Sequence, residues 1–142
     1  MLKKCYSQIL KSIRIYMKKY KVVCAIIVNH KDEILLTQRA REPFKGKWAL
    51  PSGIGESMKG IPPEIGVIEE VRCDLGTSSF RGKFWGNFSN ELVVFVGTID
   101  EAEIKVDPRF SLGYKWVAKE QKNEFEDLAF EHSEIVKRFS NS

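Results

Sequence analysis

Glu70 and Asp74 stand four residues apart in residues 62–76, a segment with the pattern of a short helix. The segment opens with two prolines, which suit the first turn of a helix, and Gly76 suits its end. Side chains four residues apart share one face of a helix, so the two carboxylates could together hold a divalent cation. The alternative is an acidic face that contacts only solvent.

The sequence around this helix resembles the Nudix box of pyrophosphohydrolases. The upstream part of the family pattern, W-x-L-P-G-G-x-x-E, is similar to Trp48, Leu50, Pro51, Gly53 and Glu56, with Ser52 in place of the first glycine. Aligned on Gly76, the family's R-E-U-x-E-E-x-G, where U is aliphatic, falls on residues 69–76. The positions that match well or conservatively are Glu70, Val71, Asp74 and Gly76. The resemblance extends over about residues 21–139, but only the box is specific.

The resemblance implies an α+β Nudix fold, in which a mixed β-sheet is sandwiched between helices. It also implies a metal-dependent hydrolase, a pyrophosphohydrolase acting on a phosphoanhydride of a nucleoside diphosphate linked to another moiety. The implied cofactor is Mg²⁺ or Mn²⁺, with Glu70 and Asp74 as metal ligands and Glu70 and Glu56 as catalytic residues. The implied substrate-binding residues are Arg39 and Gly53. What is attached to the diphosphate stays open, whether ADP-ribose, another nucleotide sugar, a nucleoside triphosphate or a capped RNA.

The box departs from the family pattern at positions that bear on activity. Cys73 replaces a metal-binding glutamate, and a neutral thiol is a poor ligand for Mg²⁺. Glu69 replaces the arginine and would repel Glu70 unless a basic group such as Arg72 compensates. The first glutamate of the box falls near Ile61. We therefore expect weak Mg²⁺ binding and low turnover, and the alternative is a noncatalytic Nudix-fold protein that binds nucleotides or regulates.

The remaining pattern predicts the elements that position the box. Predicted strands cover residues 21–28, 33–39, 80–88, 91–99 and 114–117, and an amphipathic helix covers residues 128–139. The first two strands are expected to pair as a hairpin, as are the third and fourth. The predicted apolar residues of the box helix are Ile65, Ile68, Val71, Cys73 and Leu75, and those of the closing helix are Leu128, Ile135, Val136 and Phe139.

A few other side chains could contact a substrate. Asp107 could supply a further acid before the last strand, although Asp-Pro is more often a turn. His132 could polarise a substrate group, although a histidine on the helix surface is the preferred interpretation. Arg41, like Arg39, could pair with phosphate, whose oxygens a guanidinium matches, or only with solvent. The candidates for stacking on a base, which in strands more often belong to the core, are Trp48, Trp85 and Phe84.

Length and composition fit one domain with a basic N-terminal extension. The chain has 142 residues, 43% of them hydrophobic, which is enough for a real core in residues 21–142. Its three cysteines show no metal-ligand spacing, so a reducing, cytoplasmic setting is the simplest. The sequence contains no run of about 18 apolar residues that would span a bilayer.

Residues 1–20 have the pattern of a basic amphipathic helix. The first 21 residues carry seven basic side chains and no acidic one, whereas the whole chain has a net charge of +4. Such a helix could contact RNA or an anionic membrane, but we favour one that docks on the domain or on a partner chain, including a second copy in a homodimer. The expected partner of the domain is a nucleotide-type small molecule, and no DNA is expected.

The alignment of the box can be tested by restoring its missing acid. Cys73→Glu should strengthen Mg²⁺ binding, because it places a third carboxylate beside Glu70 and Asp74. The measurement is the dissociation constant of Mg²⁺ for the variant and the wild type. An unchanged metal affinity would mean that the register chosen for the helix is wrong.

Overall fold

The computed structural model describes residues 22–54, 61–89 and 91–142. The predicted N-terminal helix, Cys5 and Glu56 lie outside the described residues. None of the helices within these ranges has the length and apolar character needed to cross a membrane.

Seven strands, two α-helices and two short 3-10 helices (Glu101–Glu103 and Lys122–Phe125) make up the regular structure of the described part of the chain. The strands are β1 (Val22–Ile27), β2 (Glu33–Arg39), β3 (Trp48–Ala49), β4 (Ser52–Ile54), β5 (Arg81–Asn87), β6 (Leu92–Thr98) and β7 (Ser111–Ala118), and the helices are α1 (Pro63–Leu75) and α2 (His132–Ser140). One sheet has the order β4-β1-β6-β5 and the other β3-β2-β7. Strands β1 and β6 are parallel and the other pairs are antiparallel. The expected α+β class with mixed sheet pairing is confirmed.

The predicted hairpin between the first two strands is wrong. Strand β1 pairs with β4 and β6, whereas β2 pairs with β3 and β7 in the other sheet. Backbone pairing between the two strands is limited to the turn that joins them, where Val28, just after β1, forms an isolated bridge with Ile34 and the Asn29 N–H donates to the Glu33 carbonyl. Their apolar residues are compatible with either arrangement, because both strands are buried on both faces. The second predicted hairpin, between β5 and β6, is confirmed.

Strand β1 lies between two clusters of buried side chains, and each cluster includes one helix. Alternate β1 residues point to opposite faces: Val23, Ala25 and Ile27 enter the first cluster, and Cys24 and Ile26 enter the second. The first cluster includes the buried face of α1 and the second includes that of α2. Each large β1 side chain that becomes fully buried contributes about 2 kcal/mol.

Helix α1 has the predicted extent, and its apolar face is confirmed only in part, at Val71, Leu75 and the partly buried Ile68. It begins at Pro63 and ends before Gly76, whose φ of 73° is left-handed and whose N–H donates to the Arg72 carbonyl over 2.8 Å. Ile65 was expected in the core but is 52% exposed. The buried positions are Pro63, Gly66, Val67, Val71 and Leu75. The register therefore turns Glu70 and Asp74 away from the core centre.

The closing helix is shorter than predicted. Helix α2 begins at His132, because Phe130 has a left-handed φ of 55° that no α-helix accommodates. Leu128 therefore lies in the preceding turn, although its side chain is buried as expected. Ile135 and Val136 are also buried, and Phe139 packs against the same cluster.

The end of α1 depends on glycine at position 76. A side chain there would be strained by the positive φ and would overlap the carbonyl oxygen of Lys105. Gly76→Ala should lower the free energy of unfolding by about 1–3 kcal/mol, as measured by urea denaturation. Gly113→Ala is the control, because a methyl group there meets nothing within 4 Å. Equal stability of the two variants would contradict this account of the helix end.

Candidate functional site

A cavity of about 920 Å³ brings together acidic, basic and aromatic side chains from separate parts of the fold. The acidic side chains are Glu70 and Asp74 of α1 together with Glu42 and Glu131, the basic ones are Arg39 and Arg41, and the aromatic ones are Phe44, Phe110 and Phe130. Gly53 and His132 also line it. Four predicted site residues, Glu70, Asp74, Arg39 and Gly53, therefore share one cavity, whereas Glu56 lies outside the described residues. Their roles stay predictions.

Strand β4 holds the carboxylate of Glu70 against the backbone of Gly53. A methyl group at position 53 would overlap all three atoms of that carboxylate. Glycine at this position therefore leaves the space in which the Glu70 carboxylate lies. The close approach explains why the pattern has glycine here: the contact needs a residue without a side chain.

The neighbouring residue of β4 contacts the second carboxylate. The Ser52 N–H donates to Oδ2 of Asp74 over 3.2 Å. Burial, and to a smaller extent the charge of Glu70, raise the pKa of Asp74 to about 7, against the opposing effect of this hydrogen bond. Arg39 and Arg41 act in the opposite direction. The carboxyl group is therefore poised between its two protonation states near neutral pH.

The reversed charge at position 69 is compensated as the sequence analysis required. Arg72 donates to Oε2 of Glu69 from Nη2 over 2.8 Å and from Nε over 3.2 Å. In this exposed ion pair the positive charge of Arg72 offsets the negative charge of Glu69 at the surface of α1. Cys73 lines the cavity, and burial followed by the charge of Glu70 raises the pKa of its thiol. The thiol is therefore neutral near pH 7 and is a poor ligand for Mg²⁺.

Arg39 connects the acidic and aromatic parts of the cavity. Its Nε–H donates to the Pro43 carbonyl over 2.7 Å, and its guanidinium carbon lies 4.7 Å from the centre of the Phe130 ring. Burial lowers the pKa of Arg39, whereas the charge of Asp74 raises it. The side chain remains a cation, since an arginine pKa lies far above neutrality.

The second arginine is fixed in a similar way. Arg41 donates from Nε to the Arg109 carbonyl over 3.0 Å, and its guanidinium carbon lies 4.4 Å from the centre of the Phe110 ring. Both arginines thus have anchored Nε atoms at the cavity. Guanidinium groups held in this way can bind phosphate oxygens with little further ordering.

His132 is not the surface histidine that the sequence favoured. The residue is 1% exposed, because α2 begins at it and packs it into the fold. The Leu50 N–H donates to its Nδ1 over 3.0 Å, so the neutral ring carries its proton on Nε2. Burial, together with the charge of Arg39, lowers the pKa of His132 to about 4. The ring is therefore neutral across the physiological range.

The other candidates occupy structural positions. Asp107 forms an ion pair of 2.7 Å with Arg109 and accepts its backbone N–H, which is the turn that Asp-Pro indicates. Trp48 and Trp85 pack against the second core cluster. Phe84 is 57% exposed and does not line the cavity described above.

The sequence did not predict the aromatic residues that line the cavity. Phe44 and Phe130 lie in irregular segments before β3 and α2, and Phe110 lies just before β7. Their spacing follows no helix or strand period. The sequence signal near Phe44 is the turn that Pro43 and Gly46 indicate around it, which would place Phe44 in a loop.

The acidic pair fits a hydrated divalent cation better than a metal held by protein alone. Within residues 22–54, 61–89 and 91–142, no group of three or more His, Cys, Asp or Glu side chains is arranged to hold a metal. Mg²⁺ needs fewer protein ligands, because it retains waters and shares phosphate oxygens. The Glu70 carboxylate lies against Gly53 and that of Asp74 accepts from the adjacent Ser52 N–H, so the two groups are neighbours, and a cation would relieve their repulsion.

Known proteins resemble the chain in sequence and in fold, although no family model matches it. An ADP-ribose pyrophosphatase of Methanocaldococcus jannaschii is 31% identical over 143 residues, covering 92% of this chain and 78% of that protein. The structure of a MutT protein from Methanosarcina mazei is 25% identical, with a TM-score of 0.64 over 87% of this chain and 95% of that one. The Nudix domain of Shewanella oneidensis NrtR, complexed with ADP ribose, is 18% identical, with a TM-score of 0.65 over 87% of each chain.

The buried histidine predicts a pH dependence of stability. The pKa of His132 is about 4 in the folded chain and about 6.5 when it is unfolded, so the unfolded state binds a proton first as the pH falls. The contribution of His132 to the free energy of unfolding is complete above pH 6.5 and should fall by about 3 kcal/mol between pH 6.5 and pH 4.

Urea denaturation across this pH range measures the effect. His132→Gln is the comparison, because glutamine offers an acceptor for the Leu50 N–H and does not titrate. The difference between wild type and variant should shrink or reverse as the pH falls. If the free energies of unfolding of the two proteins changed in parallel with pH, His132 could not be a buried, neutral histidine.

Proposed function

Because the chain belongs to the Nudix family, we propose that it is a metal-dependent pyrophosphohydrolase that cleaves a phosphoanhydride of a nucleoside diphosphate linked to another moiety. The observation that carries this proposal is the cavity in which Glu70 and Asp74 meet Arg39 and Arg41. Carboxylates for a divalent cation and guanidinium groups for phosphate oxygens are the two requirements for binding a diphosphate. The 31% identity to an ADP-ribose pyrophosphatase supports the same substrate class.

In this proposal each part of the cavity has one task. Glu70 and Asp74 would hold Mg²⁺ or Mn²⁺, which when bound neutralises phosphate charge and makes a water more acidic. Arg39 and Arg41 would bind phosphate oxygens and orient the diphosphate. Gly53 would keep the Glu70 carboxylate in place against β4. A catalytic contribution from Glu56 stays part of the proposal, on the strength of the family pattern alone.

A second function has a specific observation in its favour. Cys73 occupies the place of a family metal ligand, and its raised pKa keeps the thiol protonated near pH 7. A cavity with fewer anionic ligands could bind a nucleotide and cleave it slowly or not at all. The alternative is therefore a noncatalytic Nudix-fold protein that binds or senses nucleotides.

Hydrolysis assays on a matched pair of variants separate these functions. Glu70→Gln should lower the Mg²⁺- or Mn²⁺-dependent release of nucleotide from ADP-ribose, nucleotide sugars and triphosphates by at least about 100-fold, because it removes a charged ligand. Glu64→Gln, an exposed acid on the same helix, should retain wild-type rates. No cleavage by the wild type, with nucleotides still raising its melting temperature, would favour the noncatalytic function.

The contact between β4 and α1 offers a second test. In Gly53→Ala the new methyl group should displace the Glu70 carboxylate, because the end of a glutamate side chain moves more easily than the backbone. Metal affinity, measured by Mn²⁺ titration, should fall by about tenfold or more, which is at least about 1.4 kcal/mol. The free energy of unfolding should change by less than about 1 kcal/mol. Unchanged metal affinity would remove Glu70 from the proposed ligands.

A further inference from the structure

His132 lies at the wall of the cavity with a hydrogen bond to only one of its two ring nitrogens. The residue is 1% exposed and lines the cavity. Its Nδ1 accepts the Leu50 N–H over 3.0 Å, so the proton of the neutral ring is on Nε2. Within residues 22–54, 61–89 and 91–142, no group accepts a hydrogen bond from this Nε2–H. Buried N–H groups nearly always have a partner, which makes this one unusual.

The Nε2–H of His132 is not sealed inside the core. In the described part of the chain, Trp116 Nε1 is the side-chain nitrogen that is both shielded from solvent and without a partner. Since Nε2 of His132 also lacks a partner but is not shielded in this way, it retains contact with open space. The cavity is the open space that His132 lines. The Nε2–H is therefore a donor directed into the cavity.

The ring of His132 is held in this orientation from two sides. The Leu50 N–H belongs to a buried residue and depends on Nδ1 as its acceptor. The ring of Phe130 lies against the imidazole, with 5.5 Å between ring centres and 46° between planes. Turning the imidazole over would leave the Leu50 N–H without its acceptor, which costs free energy. The donor is therefore preorganised before any ligand enters.

Arg39 adds a positive charge next to this donor. Its charge contributes to the lowered pKa of His132, so the guanidinium and the imidazole are neighbours. Phe130 contacts both groups, since the guanidinium carbon of Arg39 lies 4.7 Å from its ring centre. A neutral N–H donor and a cation thus lie side by side at the cavity. An oxygen that carries negative charge is the acceptor that suits both.

We propose that the Nε2–H of His132 donates a hydrogen bond to a phosphate oxygen of the bound ligand, beside Arg39. This inference rests on the proposed function, since it requires a diphosphate in the same cavity. A neutral imidazole suits this place, because it supplies a directed donor without burying a second positive charge next to Arg39. Leu50 sets the tautomer, so His132 is a ligand-binding residue whose proton is already on the nitrogen that faces the ligand.

The direct test is ¹⁵N NMR of the histidine rings in the full wild-type chain. The chain has two histidines, and His30 is exposed in the turn that follows β1, so it is an internal control. His30→Gln assigns the two sets of signals. Inorganic pyrophosphate, ADP and adenosine are added in turn in the presence of Mg²⁺. Pyrophosphate and ADP should shift the Nε2–H signal of His132 and slow its exchange with water, whereas adenosine should change neither histidine.

A variant measures the contribution of the donor to affinity. His132→Asn retains an acceptor close to the position of Nδ1 for the Leu50 N–H but has no donor at the position of Nε2. By calorimetry it should bind pyrophosphate and ADP about tenfold or more weakly, with similar losses for both, because a hydrogen bond to a charged oxygen is lost. His30→Gln should bind both ligands as the wild type does.

The outcomes separate this contact from the proposed function. Binding of pyrophosphate to the wild type with no change in the His132 signals would overturn the contact and leave the proposed function standing. A change with ADP or adenosine but not with pyrophosphate would overturn phosphate as the acceptor. A wild type that binds neither pyrophosphate nor ADP would overturn both the contact and the proposed function. The NMR test uses the wild type, so it does not depend on how well His132→Asn folds.

Discussion

The contact between β4 and α1 is the constraint on which the cavity depends. Gly53 provides space for the Glu70 carboxylate, and the Ser52 N–H donates to Asp74 one helical turn away. Two consecutive residues of one short strand thus position both acidic side chains. The buried residues of α1 hold the helix in this register, because they pack in the first core cluster with β1. The fold therefore gathers two carboxyl groups whose charges are unfavourable together, and a bound cation would offset that repulsion.

The electrostatics of the cavity follow from this arrangement. Burial and Glu70 raise the pKa of Asp74, whereas the two arginines offset part of that rise. The same arginines are held at Nε by the carbonyl groups of Pro43 and Arg109 and lie over phenylalanine rings. His132 stays neutral in this cavity, because a protonated imidazole would be a buried positive charge next to that of Arg39. Positive charge is thus provided by groups that stay charged at any physiological pH.

The sequence predicted the elements with strong local signals. Proline at the start and glycine at the end defined α1, and the four-residue spacing of Glu70 and Asp74 placed both at one cavity. The pairing of β1 was not predictable, because a strand buried on both faces has no alternation that would reveal its partners. The positive φ of Phe130, which shortens α2 and buries His132, was also not predictable, because phenylalanine gives no indication of a left-handed backbone. Backbone conformation at such positions is set by tertiary contacts.

Binding of one divalent cation by Glu70 and Asp74 can be tested by anomalous diffraction from crystals soaked in Mn²⁺. We expect a single strong anomalous peak within coordination distance of a carboxylate oxygen of each residue. Displacement of that peak by excess Mg²⁺ would show that the site accepts the harder ion. A peak that contacts neither carboxylate, or no peak at saturating Mn²⁺, would contradict the account.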